Sequence, residues 1–242
     1  MRSSPSATDR LFAGAAGFAH RGLHGDGAPE NSMAAFSQAL AAGAGIECDL
    51  RLSRDEFAMV FHDSTLARLC GLDVQTESLH AATLMDCTLG ASDEHIPWLN
   101  DLLDLIAGRV PLLLELKTAV GNPPPPVTRL CRTVAASLAR YTGPVGVMSF
   151  DPRVGQWFAR NASKIPRGMV LTGTEPTWRR RAALFFSGSQ FAAIHHDIVT
   201  RPWAQRLRRR MPIGSWTIRD PGTLARVANH IDAPIWEADD RP

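Results

Sequence analysis

The sequence has no cysteines spaced as a C-x-x-C pair. Its four thiols, Cys48, Cys70, Cys87 and Cys131, are scattered, which excludes a zinc ribbon or a dithiol redox motif. Reduced thiols in a cytoplasmic protein are the expectation, because disulfides are rare in that compartment. No apolar run approaches the roughly 18 residues of a membrane span. The run at 11–19 follows Arg10 and resembles a weak signal peptide. Cleavage there would remove a strand and leave His20 at a raw end, so the run is read as part of the fold. Glycine and proline, at 19 and 17 residues, are too few for a low-complexity or collagen-like chain. An excess of one charge is missing too. With 26 basic residues against 24 acidic ones, the net +2 gives no basic field for nucleic acid.

Hydrophobic residues make up 45% of the 242, enough to bury a sizeable core without staples. The proline run at 123–126 is too short to be a linker, so 1–242 is read as one domain. Apolar runs at 17–20, 46–51, 112–116, 145–149, 169–172, 191–195, 213–217 and 235–238 suit buried strands. Between most of them lie helical patterns, at 127–140, 152–160, 177–186, 202–210 and 220–230. An earlier helix can be capped by Asn31, with Phe36, Ala39 and Leu40 on one face and Gly43 as its stop. This alternation predicts an α/β chain of the (β/α)8 TIM-barrel class. A doubly wound open sheet is the alternative, but no G-x-G-x-x-G follows the first strand. One segment breaks the rhythm. Residues 59–61 read as an extra strand returning through a turn at 53–56, and the whole of 53–97 reads as a small insertion after the second strand. Excursions of this kind in compact domains are usually functional.

Glu47 and Asp49 stand two apart on the second predicted strand and therefore share a face, as do Glu115 and Lys117 at the end of the third. Carboxylates on the inward face of a barrel are costly to bury without a cation or a base, and a hard divalent ion is the natural remedy. Three carboxylates and an ammonium on adjacent strands suggest a metal beside an anionic substrate. His20 and Arg21 close the first strand, and His62 and Asp63 end the hairpin strand. Histidine carries protons near neutral pH, and arginine forks onto phosphate oxygens.

In order along the chain stand His20-Arg21-Gly22, Pro29-Glu30-Asn31-Ser32, Ala35-Phe36, Gly43, Glu47-x-Asp49 and His62-Asp63-x-x-Leu66-x-Arg68. Later come Glu115-Leu116-Lys117, Ser149-Phe150, Trp216-Thr217 and Asp240-Arg241-Pro242. Together they resemble the glycerophosphodiester phosphodiesterase family over about 17–242. The resemblance implies a barrel hydrolase that splits a small-molecule phosphodiester with a divalent cation, Mg2+ or Ca2+. It implies Glu47, Asp49 and Glu115 as metal ligands and His20 and His62 as the acid/base pair. Arg21 and Lys117 match phosphate contacts, and Glu30 matches a loop position close to the site. The sequence departs from the pattern at three places. Ser32 replaces the usual threonine, Asp55-Glu56 replaces an Asp-Gly turn that is then expected to be reshaped, and the last strand is bulkier at Ile235-Trp236-Glu237-Ala238-Asp239. These changes leave the chemistry intact and bear on substrate choice, while the short insertion points to an open pocket.

Phe150 and Trp216 are expected to wall that pocket. His195-His196-Asp197 ends the sixth strand, where His196 is a candidate for a distal substrate contact or a structural role. The clusters Trp178-Arg179-Arg180-Arg181 with Phe185-Phe186, and Arg206 with Arg208-Arg209-Arg210, read as solvated helix faces rather than a membrane contact. Two other functions use the same residues: a phospholipase acting on lysophospholipid or sphingolipid head groups, and a silent barrel that only binds phosphodiesters. The presence of both histidines with all three carboxylates argues for catalysis.

Overall fold

Strands buried on both faces read as near-continuous apolar runs, and the barrel strands of this chain are mostly of that kind, with Glu47, Asp49 and Glu115 as buried exceptions. In the computed structural model, which describes residues 5–13, 17–25, 27–118 and 127–237, the chain forms α1 (Ala7–Phe12), β1 (Phe18–His20), α2 (Met33–Ala41), β2 (Gly45–Leu52) and β3 (Ala58–Val60). Next come α3 (Ala67–Cys70), α4 (Ala81–Met85), α5 (Leu99–Ile106), β4 (Leu112–Leu116), α6 (Thr128–Leu138), β5 (Val145–Ser149) and α7 (Pro152–Asn161). The chain continues through β6 (Arg167–Leu171), α8 (Thr177–Ser187), β7 (Phe191–His195), α9 (Pro202–Arg208), β8 (Ile213–Ile218), α10 (Pro221–Val227) and β9 (Ala233–Trp236). Eight strands run parallel in the order β1, β2, β4, β5, β6, β7, β8, β9, and β9 pairs with β1 to close the barrel. The expected TIM barrel is what the chain forms.

The extra strand β3 lies antiparallel on β2, with Leu50 opposite Val60 and Leu52 opposite Ala58. Glu56 turns that hairpin at φ 69°, a left-handed conformation that usually favours glycine. The glutamate is held there from α6, where Arg129 Nε donates to its carboxylate at 2.8 Å and Thr133 Oγ1 to its carbonyl at 3.1 Å. The hairpin thus turns on a glutamate in the left-handed region that is stapled from outside. The segment that follows builds its own small core on β3 from Met59, Phe61, Leu66, Leu84, Leu89 and Ile96.

Three sequence expectations shift. The strands expected at 169–172 and 235–238 begin two residues earlier, at Arg167 and Ala233, because a charged residue and Pro234 mask their starts; residue 238 lies outside the described residues. Ser32, not Asn31, caps α2, its hydroxyl accepting from the Ala35 amide at 3.1 Å. The run at 11–19 supplies a helix end as well as a strand: Leu11 and Phe12 end α1, while 14–16 lie outside the described residues.

The barrel interior divides into two levels. The lower level is apolar, packed by Phe18, Leu113, Met148, Val170, Phe191 and Ile235, with Leu11 of α1 plugging the end. Room for this packing comes from glycines facing inward. A Cβ on Gly146 would lie 2.5 Å from Leu11, and one on Gly168 would lie 2.1 Å from the Phe191 ring. The upper level, at the carboxyl ends of the strands, carries charge: β-pairing sets His20 beside Glu47 and Asp49 beside Glu115. That is the end at which barrel enzymes hold their sites.

The arginine clusters are split by the structure. Arg180 is buried, donates to the Thr172 carbonyl at 3.0 Å and lies 5.0 Å over the Trp203 ring, whereas Arg179 and Arg181 are exposed. Trp178, Phe185 and Phe186 also face outward from α8. No helix among the described residues is long and apolar enough to cross a membrane. All four cysteines are free.

Gly168→Ala is expected to destabilise the chain by about 1–3 kcal/mol through overpacking against Phe191. Adding Phe191→Leu should recover part of that loss in chemical denaturation. Additive losses in the double variant would place the strain elsewhere.

Candidate active site

Glu47 and Asp49 are each 1% exposed, and Glu115 on the neighbouring strand is buried beside them. Their carboxylate oxygens come within 4.8 Å of one another. Two permanent cations answer these three charges. Lys117 Nζ lies 3.0 Å from Asp49 Oδ1 and 2.5 Å from Glu115 Oε1, and Arg21 Nε lies 3.2 Å from Asp49 Oδ2. The Arg21 backbone amide adds a hydrogen bond to Glu47 Oε2 at 3.1 Å. Burial, with Asp49 and Glu115 as like-charged neighbours, pushes the Glu47 carboxyl well above its usual range. It also raises Glu115, against the pull of Lys117. Burial acts on Asp49 in the same sense, but Lys117 and Arg21 more than offset it and hold that carboxyl well below its usual range.

The residues present fit a hard divalent cation. All three donors are carboxylates, one negative charge is unmatched, and Glu47 Oε1 is buried with no hydrogen-bond partner among the described residues. Such a donor set suits Mg2+ and Ca2+ alike.

His20 and His62 are each tied by Nδ1 to a carboxylate that an arginine clamps in turn. His62 Nδ1 lies 2.7 Å from Asp63 Oδ1, and Arg68 Nε donates to Asp63 Oδ2 at 2.6 Å. His20 Nδ1 lies 3.0 Å from Glu237 Oε1, and Arg219 donates to both oxygens of Glu237 at 2.7 and 2.9 Å. The other ring nitrogen of His20, Nε2, lies 3.9 Å from Glu47 Oε2, at the carboxylate cluster. Burial lowers the pKa of His62, although Asp49 pulls the other way.

Glu30 bridges the two halves of the site. It accepts from Arg21 Nη1 at 2.7 Å and from Arg68 at 2.6 and 3.0 Å. One chain of charges thus runs from Asp49 through Arg21, Glu30, Arg68 and Asp63 to His62. Asn31, at φ 58°, turns its side chain onto Asp49: Nδ2 donates to Oδ2 at 3.0 Å, and Oδ1 accepts the Asp49 amide at 3.2 Å. The opposite side is aromatic. Phe150 meets Trp216 edge to face at 5.6 Å, Lys117 lies 5.8 Å from the Phe150 centroid, and His195 packs on Trp216 at 5.0 Å. His196 stacks on His195 and is held by Arg226 through its carbonyl at 2.9 Å and its Nδ1 at 3.0 Å.

All ten residues singled out from the sequence stand at this end of the barrel: His20, Arg21, Glu30, Glu47, Asp49, His62, Glu115, Lys117, Phe150 and Trp216. Sequence reading missed what Asn31, Arg219 and Glu237 do. In the sequence Asn31 reads as a helix cap, and Glu237 stands out only as part of a bulky last strand. The family landmark at 240–242 lies outside the described residues. Chemically, the arrangement offers a cation site, two guanidine or ammonium groups and two proton carriers around one small space, which is what displacement at a phosphodiester needs.

Residues 20–235 match the model of the "Glycerophosphoryl diester phosphodiesterase family". The chain is 27% identical over 223 residues to YhdW of Bacillus subtilis (strain 168), covering 86% of this chain and 88% of that protein. It is 34% identical over 116 residues to a glycerophosphodiester phosphodiesterase of Bacillus altitudinis, covering 44% and 47% of the two. Its fold is similar to that of the Oleispira antarctica phosphodiesterase OLEI02445 in complex with the product sn-glycerol-3-phosphate, with a TM-score of 0.80, 23% identity and 91% and 92% of the chains covered. The match to the family model takes in every strand of the barrel, from the histidine that ends β1 to the isoleucine in β9, and the chain belongs to the glycerophosphoryl diester phosphodiesterase family.

Proposed function

We propose that the chain hydrolyses glycerophosphodiesters to glycerol phosphate and an alcohol, with Glu47, Asp49 and Glu115 holding a divalent cation and His20 and His62 moving the protons. The observation that carries this reading is the pairing of an unpartnered, buried Glu47 Oε1 with two histidines, each tied by Nδ1 to a carboxylate. The glycerol phosphate in the Oleispira antarctica structure supports it on the product side. A divalent cation bound by the three carboxylates would neutralise charge on the phosphoryl oxygens. Arg21 and Lys117 add fixed positive charge at the same place. Phe150 and Trp216 flank the alcohol side, and Glu30 keeps Arg21 aimed inward. The four free thiols accord with a reducing compartment such as the cytoplasm.

The glycerol moiety carries a hydroxyl next to the esterified carbon. One histidine takes the proton of that hydroxyl as its oxygen bonds to phosphorus, and the other gives a proton to the alcohol oxygen as its bond to phosphorus breaks. A five-membered cyclic phosphate results. Water then opens the ring with the two histidines in exchanged roles. Holding the nucleophile within the substrate gains an effective molarity that reaches about 10⁵–10⁸ M in well-oriented systems.

Glu47→Gln, Asp49→Asn and Glu115→Gln should each weaken Mg2+ or Ca2+ binding measured by calorimetry, and activity should fall in excess chelator and return with added divalent ion. Full turnover in chelator would remove the cation from the reading. His20→Ala and His62→Ala should each cost at least about 10²-fold in kcat. A substrate without the neighbouring hydroxyl should be a very poor one, and phosphorus NMR should show the cyclic phosphate as a transient. Equal rates on the deoxy analogue, with no cyclic species, would mean direct attack by water.

A further inference from the structure

Glu237 stands just after β9 and reaches a histidine 217 positions away in the chain. The barrel closure brings them together, since Ala19 of β1 pairs with Trp236 of β9. Backbone pairing alone already aligns these strands, so the side-chain contact is not needed to close the barrel. Arg219 is delivered by the other neighbour: Ile218 at the end of β8 pairs with Trp236, and the Glu237 amide donates to the Ile218 carbonyl at 3.0 Å. Both oxygens of Glu237 are then fixed by one guanidinium in a bidentate grip, the geometry that best fixes a carboxylate plane.

We propose that Glu237, clamped by Arg219, is the positioning residue of His20: it holds the proton on Nδ1 and leaves Nε2 facing the carboxylate cluster. This rests on the reading of His20 as an acid/base group and deepens it. An ionised carboxylate can only accept, so the nitrogen it faces carries hydrogen whether the ring is neutral or charged. Burial acts to raise the Glu237 carboxyl, but His20 and Arg219 hold it well below the usual range, so it stays ionised. With Nδ1 committed, Nε2 lies 3.9 Å from Glu47 Oε2 and is the nitrogen that can exchange a proton with substrate. The arrangement repeats, with unrelated residues, what Asp63 and Arg68 do for His62. His20, His24 and Glu237 also come within 4.8 Å of one another, a spacing that suits a transition metal. Arg219 argues against that use, because a metal would have to displace a guanidinium already bonded to both carboxylate oxygens.

The test compares Glu237→Leu, which removes the acceptor, with Glu237→Gln, which keeps one without the charge, and with Arg219→Ala. Glu237→Leu should lower kcat by about 10- to 100-fold, by analogy with the cost of removing the carboxylate partner of a metal-bound histidine. Its KM and its calorimetric affinity for Ca2+ should stay within twofold of the unmodified chain. Glu237→Gln should recover most of kcat, and Arg219→Ala should show a smaller loss confined to kcat. Nitrogen-15 NMR should find His20 protonated at Nδ1 in the unmodified chain and mixed between both nitrogens in Glu237→Leu. Unchanged kcat and an unchanged tautomer in Glu237→Leu would overturn the positioning role, as would equal losses in the leucine and glutamine variants. No turnover by the unmodified chain would overturn the functional reading itself, which separates the two failures.

Discussion

Three carboxylates pointing into the mouth of a closed barrel are the constraint on which the rest of this structure depends. Like charges within 4.8 Å cannot sit unanswered in a buried place, and the chain answers them with Arg21, Lys117 and hydrogen bonds from Asn31 and the Arg21 amide. Every element that supplies an answer is fixed by the barrel itself. Lys117 follows β4, Arg21 follows β1, and the loop into α2 carries Glu30 and Asn31. The apolar lower level is the counterpart of this charged one. Leu11, Phe191 and their neighbours fill the barrel from below, so the carboxylates face its open end.

What made the cluster legible in the sequence is that its spacing is local. Glu47 and Asp49, or Glu115 and Lys117, are two residues apart, and a strand converts that period directly into a shared face. His62, Asp63 and Arg68 are nearly as close, so one motif carries a histidine, its carboxylate and its clamp. Asn31 was visible but ambiguous, since an asparagine before a helix is a plausible cap. Ser32 takes that role, which releases Asn31 to bond Asp49.

The illegible parts are those whose contacts close the barrel. Glu237 and His20 meet only because the last strand returns to the first, and Arg219 meets Glu237 through a strand pairing that no local pattern announces. The α1 plug was hidden for a related reason. Six residues give too short a period to read, and the partners of Leu11 come from strands far along the chain. Two strands start earlier than their apolar runs, at Arg167 and at Ala233 before Pro234, because tertiary pairing overrides local preference there.

The two histidines are supported alike and placed differently, and this difference gives the site a direction. His20 sits on the barrel wall with 13% of its side chain exposed, held by Glu237 and Arg219, which follow β9 and β8. His62 follows the hairpin with 32% exposed, held by residues of its own segment. A proton carrier on the wall keeps its place relative to the carboxylates whatever the rim does. One carried by the insertion is held by Asp63, which Arg68 clamps, and Arg68 also bonds Glu30 of the loop into α2, which in turn is bonded to Arg21. Movement of the insertion would therefore disturb His62 and Arg21 together while leaving His20 and the carboxylates where the strands put them. The wall fixes one end of the proton path, and the charge chain through Glu30 keeps the other end in register with it.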